Sequence, residues 1–147
     1  MRLTPPLRQG ADREALRQAL ADGTLDALVS DHTPVAADAK TLPFGEAAAG
    51  ATGLELLLPL TLQWANAAKL PLTKALARIT CDPAAVLGTG VGHLAVGAPA
   101  DVCVFDAEAE WKVGAESLVS EGKNSPFAGR LVQGRAVATI VAGRVVF

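Results

Sequence analysis

The feature that most constrains the fold is a short apolar run in residues 25–35 (LDALVSDHTPV), which ends abruptly at Asp31 and His32. The length and apolar character of this run are typical of a buried strand. A (β/α) barrel presents its reactive side chains at the C-terminal ends of such strands. Asp31 is therefore our first candidate for a catalytic residue, with a capping or turn role for the Asp-His pair as the alternative.

The length of the chain limits how much of a barrel it can form. A complete barrel needs about 250 residues, with about 200 near the lower limit, and this chain has 147. A barrel formed by this chain can therefore be only a partial one. Because a barrel closes only with all its strands, the barrel part should be an open sheet with uncovered apolar faces.

Composition excludes several classes of function. Apolar residues make up 50% of the chain and the formal net charge is −2, which argues against nucleic-acid binding. The longest apolar stretch, residues 54–62, is too short to span a bilayer, and the N-terminus lacks the apolar core of a signal peptide. We expect a cytoplasmic protein without a membrane partner, in which Cys81 and Cys103 are unpaired thiols, buried or without a role.

Residues 1–90 carry helical patterns. Residues 12–21 form an amphipathic stretch that Gly23 should end. The loop over residues 33–51 is long enough to be functional or poorly ordered. Residues 53–69 predict a buried helix that Pro59 either kinks or begins, and residues 71–80 predict another. A last short helix should have Asp82 as its N-cap and Gly88 just after its end.

Residues 91–147 instead carry β-branched runs separated by turn residues. Strands are predicted at residues 100–105, 110–113, 131–133 and 136–147, the last interrupted at Ala142 and Gly143 by a hairpin turn. We place a domain boundary near residues 89–95, with a barrel part before it and a small β-domain after it.

Several motifs resemble, in the same order, the C-terminal part of a dihydroorotase. They are TPPLR at 4–8, SDHTP at 30–34, Lys40 with Pro43 and Phe44, GATGLE at 50–55, DPA at 82–84, GAPAD at 97–101 and KNSPF at 123–127. Each is unremarkable alone, and their shared order makes the resemblance specific. It implies the α/β fold class, with a partial (β/α) barrel of the metal-dependent amidohydrolase type followed by a small β-rich domain. It also implies an enzyme that interconverts dihydroorotate and N-carbamoyl-aspartate in pyrimidine biosynthesis.

The resemblance also implies roles for single residues. It assigns Asp31 to take a proton from metal-bound water and pass it to the leaving amide nitrogen. It places Pro43 and Gly50 in the loop whose backbone contacts a dihydroorotate-like substrate, with a flexible connector as the alternative. We interpret His32 as a structural histidine, either hydrogen-bonded to backbone or packed behind the site, and Glu55 as an acid in the first turn of a helix.

Intact members of the family bind zinc through a His-x-His pair, a carbamylated lysine and further histidines. This chain has only His32 and His93, without ligand spacing for a catalytic zinc site, which typically takes three protein ligands. We therefore predict that this chain alone holds no metal or other cofactor and has no dihydroorotase activity.

Val35 departs from the family pattern. Active members commonly read Asp-His-Ala-Pro-His, whose last histidine helps hold the substrate carboxylate, whereas Val35 supplies neither charge nor hydrogen bond. The departure resembles noncatalytic dihydroorotase-like subunits that support aspartate carbamoyltransferase. Three hypotheses stay open: an enzyme fragment that needs the rest of its protein, a scaffold for aspartate carbamoyltransferase, and a truncated product without its own function. The chain could also form a homo-oligomer through its uncovered apolar faces.

Overall fold

The structure is a computed structural model that describes residues 1–147. Its elements are α1 (Gly10–Asp22), a 3₁₀ turn (Asp38–Lys40), a second 3₁₀ turn (Leu54–Leu56), α2 (Leu57–Ala67), α3 (Leu72–Ala77), α4 (Cys81–Val86), β1 (Val102–Lys112), β2 (Leu131–Val141) and β3 (Arg144–Val145). Helices therefore precede strands along the chain. None of the helices combines the length and apolar character that a membrane crossing requires.

Helix α1 ends where its sequence predicts. Gly23 has a φ of 95°, and its N–H donates to the carbonyl of Ala19. Glycine adopts this left-handed conformation without the steric cost that a Cβ brings, which is why it ends so many helices. Of the two leucines that an amphipathic helix would bury here, Leu20 is buried but Leu16 stays 54% exposed.

Helices α2 and α4 show how proline and aspartate mark a helix start. Pro59 lies in the first turn of α2, where its missing N–H costs no intrahelical bond, so it belongs to the start of the helix. The prediction of Asp82 as the N-cap of α4 is wrong, because Thr80 occupies the N-cap position. Asp82 lies in the first turn instead, where its carboxylate pairs with Arg78 at 2.7 Å.

The strand predicted from Leu25 is not formed. This segment belongs to no helix or strand, and its backbone bonds run from the Leu25 N–H to Ala19 O and from the Leu28 N–H to Arg78 O. A strand needs a neighbouring strand to accept its ladder of hydrogen bonds, and here the neighbours are helix ends. The prediction that Asp31 ends a strand is therefore wrong.

The sheet is antiparallel, in the order β1-β2-β3. The strands predicted at 100–105 and 110–113 form one strand, β1. The register of its pairing with β2 shifts between Asp106 and Glu110. The predicted hairpin is confirmed: Ala142 and Gly143 have φ of 48° and 79°. Positive φ at both central residues suits a turn that matches the twist of the flanking strands.

Two small clusters form the core. One contains Leu20, Trp64, Ala65 and Ala75, and the other contains Leu56, Val113, Leu118 and Val132. The second cluster joins the start of α2 to the sheet, so residues on both sides of position 90 share it. The predicted division into two domains at that position stays a prediction. Only 18 of 147 residues are buried, which leaves much apolar surface uncovered.

Candidate active-site segments around Asp31

The segment that carries Asp31 lies against the segment that carries Gly53. The N–H of Thr33 donates to the carbonyl of Ala51 at 3.0 Å. A Cβ added to Gly53 would lie 2.7 Å from the carbonyl oxygen of Ser30, closer than such contacts allow. The two backbones meet because residue 53 has no side chain.

Residues 122–125 lie against the same place. The buried Thr52 donates its N–H to the carbonyl of Asn124 at 2.8 Å, and its hydroxyl donates to the carbonyl of Gly122. A Cβ on Gly122 would lie 2.9 Å from the backbone nitrogen of Val35. Three motifs that are far apart in the sequence are therefore neighbours in the fold.

Asp31 itself is exposed and has a φ of 45°. Its carboxylate makes no hydrogen bond or ion pair within the chain, so the side chain is presented to solvent beside the three segments. Its assignment to proton transfer stays a prediction.

His32 has the structural role that its position indicated. Its Nδ1 accepts the N–H of Gly53 at 3.2 Å and that of Leu54 at 3.1 Å. These amides begin the 3₁₀ turn that leads into α2, where N–H groups lack acceptors within the helix. The imidazole therefore caps this helix start from a distant part of the chain.

Pro43 and Gly50, the predicted substrate-binding residues, use their backbone groups within the chain. The carbonyl of Pro43 accepts two N–H groups of the turn that follows it, both at 2.8 Å. The N–H of Gly50 donates to Arg2 O at 3.2 Å, and its carbonyl accepts from Lys40 Nζ at 2.7 Å. Gly50 shapes this loop, since a Cβ there would lie 2.6 Å from the Thr33 carbonyl. Substrate binding by Pro43 and Gly50 stays a prediction.

Lys40 and Arg2 organise this loop, although the sequence indicated Lys40 only as part of a motif without a role and did not indicate Arg2. The Lys40 ammonium donates to the carbonyls of Ala48 at 2.6 Å, Gly50 at 2.7 Å and Arg2 at 3.2 Å. The Arg2 guanidinium donates to Gly45 O at 2.6 Å and to Ala47 O at 2.8 Å. The available signal was a lone lysine inside a long loop of Ala, Gly and Pro.

Glu55 ties the start of α2 to the segment before residues 122–125. Its carboxylate accepts the N–H of Val119 at 2.8 Å, and the N–H and hydroxyl of Ser120 at 2.9 and 2.6 Å. Partial burial acts to raise the pKa of Glu55, but these hydrogen bonds, together with the charge of Lys123, hold its pKa below 4.5. Glu55 is thus a charged anchor of the loop.

The residues of this chain do not by themselves fit a zinc centre. Nowhere do three His, Cys, Asp or Glu side chains lie close enough together to hold a metal. His32, the histidine nearest to Asp31 in sequence, already uses Nδ1 for backbone N–H groups.

Comparison with known proteins defines the class of the chain. The model of the amidohydrolase family matches residues 3–146, so the chain belongs to the amidohydrolase family. Among its relatives, the dihydroorotase of Geobacter sp. (strain M21) is 46% identical over 146 residues, and that of Anaeromyxobacter dehalogenans (strain 2CP-1 / ATCC BAA-258) is 45% identical over 145 residues. Each match covers 99% of this chain and 34% of the relative. The resemblance to a dihydroorotase is confirmed.

Solved structures agree on the fold. An L-hydantoinase (dihydropyrimidinase) from Arthrobacter aurescens has a TM-score of 0.87 and 34% identity, with 99% of this chain and 34% of that chain covered. A dihydropyrimidinase from Brevibacillus agri NCHU1002 has a TM-score of 0.91 and 25% identity, with 99% and 33% covered. The fold is therefore a partial amidohydrolase domain, and the chain spans about a third of the length of these relatives.

Proposed function

We propose that the chain supplies one part of a dihydroorotase-type cyclic amidohydrolase, in which Asp31 moves the proton. The observation that supports this is the meeting of three distant motifs beside Asp31: the segment around Thr33, the segment around Thr52 and the segment around Asn124. An exposed carboxylate held on such a frame suits proton transfer.

The proposed reaction is hydrolysis of the cyclic amide of dihydroorotate. The oxygen of a water molecule bonds to the amide carbon while the ring C–N bond breaks. The Asp31 carboxylate takes the proton of that water and delivers it to the leaving nitrogen, which yields N-carbamoyl-aspartate. Pro43 and Gly50 are proposed to shape the loop that faces this substrate.

By itself the chain should be inactive, because its residues do not assemble a metal-binding group. An intact family member is proposed to complete the site from the two thirds of its length that this chain does not span. We also propose that the strands after residue 101 form a small β-domain of that larger protein.

The test is a hybrid in which this chain replaces the matching part of the Geobacter sp. dihydroorotase. With dihydroorotate and added zinc, the chain alone should show no turnover and the hybrid should turn over. Asp31→Ala in the hybrid should lower kcat by about 10²–10⁴-fold, the usual contribution of a general acid-base group. Asp26→Ala, at another exposed aspartate of the same segment, should leave kcat unchanged.

Three results would contradict the proposal. The first is a folded hybrid that shows no turnover. The second is turnover by the chain alone that disappears in Asp31→Ala. The third is an active hybrid that tolerates Asp31→Ala as well as it tolerates Asp26→Ala.

Val35 favours a second candidate function, a noncatalytic scaffold for aspartate carbamoyltransferase. Its apolar side chain stands where the motif of active relatives has a histidine, and its backbone is packed against Gly122. A hybrid that folds without turnover, together with co-sedimentation of the chain and a bacterial aspartate carbamoyltransferase, would favour this alternative.

A further inference from the structure

Asp31 has a backbone conformation that its surroundings must impose. Its φ of 45° lies in the left-handed region, where the Cβ of an L-residue crowds the carbonyl oxygen that follows it. Residues other than glycine seldom adopt this conformation, although aspartate tolerates it better than most. The flanking residues must therefore hold the chain in place around Asp31.

The residue after Asp31 is anchored through its side chain. His32 Nδ1 accepts the N–H groups of Gly53 at 3.2 Å and Leu54 at 3.1 Å. A ring nitrogen that accepts two N–H groups carries no proton, so the neutral imidazole holds its proton on Nε2. The anchor is thus a defined tautomer that bonds to two consecutive amides.

Backbone contacts hold the residues on both sides. The carbonyl of Ser30 lies against Gly53, and the N–H of Thr33 donates to Ala51 O at 3.0 Å. His32 and Thr33 are therefore hydrogen-bonded to one short segment, Ser30 lies in contact with it, and the left-handed residue lies between them. Ser30 and Thr33 make these contacts with backbone atoms, whereas His32 makes its hydrogen bonds with its side chain.

We propose that His32 is a positioning residue, which holds Asp31 in its left-handed conformation by binding the N–H groups of Gly53 and Leu54. It acts through the backbone and does not touch the substrate. The consequence for catalysis rests on the proposed function of Asp31, whereas the consequence for conformation does not.

Two substitutions separate the hydrogen bonds from the shape of the side chain. His32→Asn places an amide oxygen the same number of bonds from Cα as Nδ1, so it retains an acceptor. His32→Leu retains a branched side chain without an acceptor. His93→Leu is the matched control, because His93 is the other histidine and is exposed.

The first measurements use the 147-residue chain and NMR. Long-range ¹H–¹⁵N spectra report the tautomer of His32, amide exchange reports the bonds of Gly53 and Leu54, and the one-bond Cα–Hα coupling reports the sign of φ at Asp31. We expect the proton on Nε2, slow exchange of both amides, and positive φ. His32→Leu should lose the slow exchange and the positive φ, and His32→Asn should recover both at least in part.

A proton on Nδ1 in the wild-type chain would overturn the proposal. So would a positive φ at Asp31 that survives in folded His32→Leu. If His32→Leu does not fold, the wild-type tautomer and the φ of Asp31 in His32→Asn decide the question, with a negative φ in the latter counting against the proposal.

Activity of the hybrid dihydroorotase is the second readout. Misplacement of a reacting group costs about 100-fold in rate, so His32→Leu should lower kcat by that order with little change in KM. His32→Asn should recover much of the loss, and His93→Leu should have no effect. If the hybrid is inactive with every residue in place, the proposed function fails, while the NMR measurements still decide the role of His32.

Discussion

At the residue scale, the candidate site depends on close backbone contacts at two glycines and on an unusual backbone conformation at Asp31. Gly53 allows the carbonyl of Ser30 to come close, and Gly50 does the same for the carbonyl of Thr33. Asp31 adopts a positive φ while bearing a side chain. A residue kept in a costly conformation beside converging motifs is a reason to expect a function for its side chain.

The cost of this conformation can be measured by comparing two substitutions of Asp31. Asp31→Gly should be more stable to urea unfolding than Asp31→Ala by about 1 kcal/mol, because glycine adopts positive φ without crowding its Cβ. Equal stability of the two variants, or a more stable alanine variant, would show that residue 31 has no such strain in solution.

Glu55 predicts a dependence of stability on pH. Its pKa in the folded chain lies below 4.5, so its contribution to the free energy of unfolding is present above about pH 4.5 and is lost as the pH falls through the folded-state pKa. Glu55→Gln should therefore lower stability at pH 7 and differ little from the wild type in strong acid. Urea unfolding across this pH range measures the difference.

The control for Glu55 is Glu108→Gln, at an exposed glutamate outside this loop. A stability difference for Glu55→Gln that stays constant with pH, or that matches Glu108→Gln, would show that the bonds to Val119 and Ser120 do not favour the charged form.

At the element scale, the contact between α2 and β2 joins the helical part to the sheet. Gly134 of β2 lies beneath Leu62 of α2, and a Cβ at residue 134 would collide with that leucine. The carbonyl of Gly134 also accepts the indole N–H of Trp111 at 3.0 Å. A glycine inside a strand thus marks where a helix approaches the sheet closely.

Gly134→Ala should therefore weaken the docking of α2. Gly134 has a φ of 103° and Gly129 a φ of 83°. Of these two glycines, Gly134 is the one with neighbours within contact distance of an added Cβ. Gly129→Ala measures the conformational strain alone. Gly134→Ala should lower the free energy of unfolding further, by about 1–3 kcal/mol, because the added methyl group overpacks the contact with Leu62. Equal losses in urea unfolding would mean that Leu62 moves aside without cost.

At the scale of the whole molecule, the chain exposes more surface than its mass requires. Its accessible area is 9538 Å², whereas a monomeric protein of 15.0 kDa has about 7,000 Å². A groove of about 720 Å³ between the start of α2 and the sheet is lined mainly by apolar residues, among them Leu54, Trp111 and Phe147. The difference in area is comparable to what large stable interfaces bury.

We therefore expect the isolated chain to self-associate. Sedimentation should show concentration-dependent species, and the unfolding temperature should rise with concentration because association stabilises the folded form. Val119→Ser, in the groove at 77% exposure, should weaken association more than Val86→Ser, outside it at 65% exposure. A sharp, concentration-independent transition of a strict monomer would contradict this expectation.

The features that could be predicted from the sequence are those set by near neighbours in the chain. Gly23 ends α1, Pro59 lies in the first turn of α2, and Ala142 with Gly143 forms the hairpin turn. Each depends on the φ and ψ that a residue can adopt and on bonds within a few positions. The order of motifs likewise identified the family without any knowledge of contacts.

Tertiary structure alone decided which distant segments meet. The apolar run at Leu25 has the composition of a strand but finds helix ends rather than a strand as neighbours. Glu55 lies in the first turn of the 3₁₀ turn before α2, as the sequence predicted, but its hydrogen-bonding partners Val119 and Ser120 lie 64 and 65 positions away. Composition and periodicity describe what a segment can bury. They do not specify its hydrogen-bonding partner, because that choice depends on how the whole chain packs.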